Sequence, residues 1–89
     1  MKICGVNYDI VEADDVFNSE STHFGQIDFV RGKIVVNSAL SEDAKKETIV
    51  HEVTHGILVY IGRSDLSQDE QFVQALGNAI FQTFELREL

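Results

Sequence analysis

Apolar and polar positions change their spacing repeatedly along this chain, and each change marks an element. Across residues 2–12, Ile3, Val6, Tyr8, Ile10 and Val11 alternate loosely with polar neighbours, which predicts one or two short strands broken near Gly5. Residues 13–22 are acidic and rich in cap and turn residues, so they predict a loop or a short helical turn. A clearer strand signal follows in 26–37, where two β-branched, apolar runs flank Arg31-Gly32. Glycine supplies the positive φ that a two-residue turn needs, so this stretch reads as a β-hairpin. A lone hairpin is unstable in water and must pack on another element.

From Ser41 the spacing becomes helical. Ser41 is a natural N-cap, with Glu42 and Asp43 well placed in the first turn. The helix is expected over about 42–61, with Gly62 as its left-handed stop. Val50, Val53, Ile57 and Ile61 make one stripe. Residues 57–61 are apolar all round, which predicts burial on several sides rather than a surface position. After a polar loop, Ser67 is the cap expected for a second helix over about 68–86. Its core face is Val73, Leu76, Ile80 and Phe84, with Phe72 and Phe81 on the shoulders. Gly77 on the same stripe allows close helix contact, at a propensity cost of roughly 1 kcal/mol. The chain contains no proline and no repeat. These elements predict an α+β fold, with one domain over 1–89. A small antiparallel sheet, the hairpin 26–37 plus an N-terminal strand, packs on the long helix and a C-terminal helix.

Composition narrows the class. A chain of 89 residues buries only about 60% of the surface its unfolded form exposes, so a metal, a partner or good packing must help it. Its apolar fraction of 44% is ordinary for a globular domain. The net charge of −8 argues against nucleic acid and anionic membrane surfaces as partners, because both repel it. The single cysteine, Cys4, excludes an internal disulfide framework and points to a reducing compartment; in its short apolar run it is expected to be a buried, inert thiol. No signal-like segment opens the chain, and no apolar run approaches about 20 residues. A soluble, cytoplasmic protein is expected.

The chemistry lies in the predicted long helix, at His51-Glu52-Val53-Thr54-His55. Histidines four apart project from one helical face, so two imidazoles can share one ion. Glu52 follows the first ligand directly and can act as a base on a metal-bound water. The bland alternative, one exposed histidine and one satisfied core histidine, suits a lone histidine better than a pair with a glutamate between. A zinc site with two histidines needs a third protein ligand and an open position. The extended three-histidine motif requires glycine at position 58 and histidine at 61, and Leu58 and Ile61 exclude it. His23 lies upstream in a turn-rich segment and is a weak candidate. Glu70, Asp69 and Asp65 follow the motif at closer range. Ser67-Gln68-Asp69-Glu70 is also a capping-box pattern, so spacing leaves Glu70 open between cap and ligand.

The runs Thr48–Leu58 and Asp69–Ile80, preceded by Phe24–Asp28 and the hairpin, resemble small bacterial and phage zinc peptidases. These are compact zincins of the ImmA/IrrE type, related to gluzincins. The resemblance implies zinc held by His51, His55 and an acid of the following helix, for which Glu70 is the matching position and Asp69 the next. It implies a zinc metallopeptidase that hydrolyses peptide bonds through a metal-activated water, with Glu52 as general base. Its substrates would be proteins or peptides, repressors and other regulators among them. Tyr60, Tyr8 and His23 are the candidate donors to developing negative charge. A hairpin edge is expected to pair with an extended substrate chain. The alternative is a non-catalytic zincin-like module with a structural metal or a partner-binding surface.

Overall fold

The computed structural model describes residues 1–14 and 24–85. His23 and most of the acidic segment 13–22 lie outside the described residues, as does the expected helix end at Leu86. In chain order the elements are β1 (Lys2–Ile3), β2 (Val6–Asn7), β3 (Asp9–Ala13), β4 (Gly25–Asp28), β5 (Lys33–Asn37), α1 (Glu42–Tyr60), α2 (Ser64–Ser67) and α3 (Glu70–Thr83). The α+β class is as expected.

β1 and β2 pair antiparallel around Cys4-Gly5, whose φ values are 49° and 86°. Two positive φ values in succession let a two-residue turn follow the twist of its strands. Cys4 is therefore exposed at a turn tip, not buried as expected, because no layer faces a hairpin tip. β5 is the centre of a three-stranded sheet of order β3-β5-β4. β4 joins it antiparallel as the expected hairpin, but pairing ends at Asp28–Lys33, so the connection is 29–32 rather than Arg31-Gly32 alone. The Asp28 carboxylate closes that loop by accepting the backbone N–H of Val30 and of Arg31, each at 3.0 Å, and the Arg31 guanidinium at 3.1 Å. β3 joins the other side of β5 in parallel, Ile10 opposite Ile34. Antiparallel pairing thus holds for both hairpins and not for β3. Parallel neighbours need a long crossover, and the chain between β3 and β5 supplies it.

α1 begins and ends where its caps place it. Ser41 Oγ accepts the Ala44 N–H at 3.2 Å. At the other end Gly62, with φ 82°, and Arg63 donate to the Val59 and Leu58 carbonyls, which closes the last turn. One side of α1 lies on the sheet, where Ile49 joins Ile3, Tyr8, Ile34 and Val36 in the core. On another side α3 crosses it, with Gly77 over His51 and Thr54. Two covering layers explain why burial spreads from Ile49 and Val50 to Glu52, Thr54 and Leu58 instead of following one stripe. The all-round apolar end is covered only in part: Leu58 is buried and Ile57 packs on the core, whereas Ile61 is 60% exposed.

α3 starts later than expected. The chain first makes the single turn α2, and Asp69, not Ser67, caps α3 by accepting the Phe72 N–H at 3.1 Å. Val73 and Gly77 are buried against α1. Phe84, expected on the core face, is exposed because the helix stops at Thr83 and the backbone turns extended. No helix among the described residues is long and apolar enough to cross a membrane.

Candidate metal centre

α1 sets His51 and His55 on one face, with ring centroids 5.0 Å apart. The turn α2 doubles the chain back, so the first residue of α3 returns over them. Glu70 Oε2 lies 3.2 Å from His51 Nε2, and Glu70 Oε1 lies 2.9 Å from His55 Nε2. One ligand atom from each of the three residues falls within 4.8 Å of the others. A tetrahedral zinc ion with bonds of about 2.0–2.1 Å separates its ligand atoms by about 3.3 Å. Both carboxylate–imidazole distances lie within a few tenths of that spacing, so these three residues could hold one small cation. Asp69 and Asp65 are not brought to the imidazoles. Asp69 is committed to its cap, and Asp65 accepts both Arg63 N–H groups at 3.0 and 2.8 Å. Those hydrogen bonds and the guanidinium charge hold the Asp65 carboxyl down at about 2.

Sequence reasoning missed the role of Ser67. Its hydroxyl lies 3.0 Å from His55 Nδ1 and 3.4 Å from the His55 carbonyl oxygen. If Ser67 Oγ donates to that carbonyl, it accepts from Nδ1–H and leaves the Nε2 lone pair facing Glu70; if it donates to Nδ1, Nε2–H donates to the Glu70 carboxylate instead. The second arrangement needs no cation; in the first, a lone pair faces a carboxylate oxygen, and the two repel unless positive charge stands between them. A proton on the imidazole or a metal ion meets that demand. The serine looked like a helix cap in the sequence, and only its return beside α1 gives it this contact.

Glu52 points away from solvent, 8% exposed. Burial and then the negative charge of Glu70 push its carboxyl up to about 7, against the opposing pull of a hydrogen bond from the Ile27 backbone N–H. The Ile27 contact sets Glu52 against β4, an edge strand of the sheet among the described residues.

These groups lie in a cleft of about 730 Å³, within the range of small-ligand and peptide sites. Its floor is the α1 face from Glu47 to His55, one wall is β4 with Phe24 and Phe29 at its ends, and the other carries Ser67, Glu70 and Gln74. Gly25 lets β4 come this close, since a Cβ there would stand 2.7 Å from both Thr48 Cγ2 and the Val35 carbonyl. Tyr8 and Tyr60, the expected donors to developing charge, do not line the cleft. Their hydroxyls bond to each other, and both rings pack edge-on to Phe29 at 6.5 and 6.0 Å. His23, the third donor considered, lies outside the described residues.

Set beside known proteins, the chain matches no family model, no curated protein and no solved structure.

Proposed function

We propose that the protein is a zinc-dependent peptidase, similar in its site to the compact zincins, acting on protein or peptide substrates in a reducing, cytoplasmic setting. The observation that carries this reading is the convergence of His51, His55 and Glu70 donor atoms within 4.8 Å, in a cleft that also holds a buried carboxylate next in sequence to the first histidine. The three residues would hold the ion. When bound, zinc supplies Lewis acidity, which brings a coordinated water toward neutral pKa and polarises a carbonyl. Glu52 would take a proton from water and return it to the leaving amine, a role that its place in the cleft directly after the first histidine suits. Ser67 holds the His55 ring with Nε2 toward the ion. β4 offers its edge to an extended chain, which would gain main-chain hydrogen bonds there.

One observation favours a second reading, a non-catalytic zincin-like module. Glu52 is 8% exposed and its carboxyl lies against the Ile27 backbone of β4, so the side chain also packs between helix and sheet. Substitution separates the two. Under the peptidase reading, Glu52→Gln keeps this packing and full zinc affinity while hydrolysis of an unstructured protein substrate falls at least about a hundredfold, the lower range of general-base catalysis. Equal hydrolysis by Glu52→Gln and wild type would discard Glu52 as the base. Glu70→Ala is expected to weaken zinc strongly in equilibrium titration, and unchanged affinity would remove Glu70 from the site.

A further inference from the structure

The cleft has a chemical polarity along its length. Of its lining groups, Glu47, Glu52 and Glu70 are acidic, and no lysine or arginine is among them. Glu70 is engaged by the two imidazoles, and Glu52 is buried. Among the described residues Glu47 is the carboxylate left free at the cleft surface, exposed and one turn before His51 on the same helical face. Gly25 packs on Thr48, so neighbouring Phe24, 54% exposed, stands at the Glu47 end. At the opposite end Ile27 reaches Gly56, and Phe29 stacks edge-on to Tyr60. One end therefore pairs an exposed ring with a carboxylate, and the other is aromatic and uncharged.

We propose that this cleft takes an extended peptide with a lysine or arginine side chain toward Glu47 and Phe24 and a bulky apolar side chain toward Phe29. The proposal rests on the peptidase reading for the direction of use of the cleft, and on the lining residues for its selectivity. A long basic side chain matches the first end in both parts, with its aliphatic stem on the phenylalanine ring and its charge at the glutamate. One helical turn is about 5.4 Å, and an extended chain advances about 3.3 Å per residue. The cationic side chain thus falls within about two residues of the bond held at the triad. An acidic segment is rejected by Glu47 and by the net charge of −8.

The test uses zinc-loaded Glu52→Gln, which binds without turning over, and end-blocked peptides of one sequence with a central phenylalanine. Lysine, alanine or glutamate is placed about four residues to either side of it, the spacing that the run of β4 from Phe24 to Phe29 sets, and affinity is read by fluorescence anisotropy. In one of the two placements the lysine peptide is expected to bind about five- to tenfold more tightly than its glutamate counterpart, the scale of an exposed charge pair changed in sign. The difference shrinks at about 0.5 M salt, and Glu47→Lys reverses the order. Changing the phenylalanine to alanine weakens binding. Equal affinities, tighter binding of the glutamate peptide, no binding by any peptide, or a lysine preference that survives Glu47→Lys would each overturn the proposal. A preference seen only in peptides with a free amino terminus would assign Glu47 to the terminal ammonium and overturn it as well. Wild-type protein with the same peptides, read by mass spectrometry, tests the underlying reading. Selective binding without cleavage sinks the peptidase and keeps the selectivity, whereas cleavage without lysine preference sinks the selectivity alone.

Discussion

Ser67 carries more of the site than a residue in a polar loop usually does. Its hydroxyl touches both a ring nitrogen and the carbonyl of His55, so one small side chain orients the imidazole and bears on its tautomer. Partners of this kind are worth about ten- to hundredfold in metal affinity where they have been removed from zinc sites. Ser67→Ala is expected to lose zinc affinity on that scale in a competition titration, while Ser67→Thr retains most of it. Nitrogen-15 chemical shifts of the His55 ring should show the Nδ1–H tautomer in wild type and a mixture in the alanine variant. Unchanged shifts and affinity would reduce Ser67 to a loop residue. The same substitution leaves α3 capped, because Asp69 performs that task.

At the scale of elements, short devices place long ones. The single turn α2 brings α3 back across α1, and the Asp28-closed loop sets Phe29 against both Tyr8 and Tyr60. That aromatic contact joins the N-terminal residues, the β4–β5 connection and the end of α1. Tyr8 is 1% exposed, and burial, then its hydrogen bond with Tyr60, push its hydroxyl up to about 12. The folded state therefore holds this proton more tightly than the unfolded chain does. Its contribution to stability is complete below pH 10, the ordinary tyrosine value, and is lost as pH rises through about 12. Denaturant midpoints measured across that window should fall more steeply for wild type than for Tyr8→Phe, which has no proton to lose. Parallel curves would show that Tyr8 ionises as freely in the folded protein as in the unfolded one.

For the whole molecule, metal and fold are expected to be coupled. The proposed ligands come from α1 and α3, so an ion at the triad would fasten two helices of a domain with a small core. Ligand that binds only the folded state at a hundredfold excess over its dissociation constant adds about 2.7 kcal/mol. For a chain of this size each kcal/mol raises Tm by about 4–8 °C. Zinc at that excess should therefore raise Tm by about 10 °C or more, and a chelator should reverse it. Glu70→Ala should lose most of the gain. A zinc-dependent rise of equal size in that variant would place the ion elsewhere.

Patterns that depend on near neighbours are legible in the sequence alone. Ser41 and Gly62 bound α1 because capping is settled within a few residues, the 26–37 hairpin follows from alternation, and the pair His51 and His55 shares a face because helix geometry requires it. What depends on distant packing is not legible there. Ser67-Gln68-Asp69-Glu70 satisfies a capping pattern, yet the return of the chain from α1 gives the cap to Asp69, the ring contact to Ser67 and the imidazole-facing position to Glu70. Ile61 and Phe84 read as core but stand exposed, since hydrophobicity measures what a residue prefers and not whether a layer reaches it. The parallel union of β3 with β5 and the approach of β4 to Glu52 also rest on contacts far apart in the chain. Local chemistry chose the elements and two of the three proposed ligands. The third ligand and the walls of the cleft were decided by which surfaces the tertiary fold brings together.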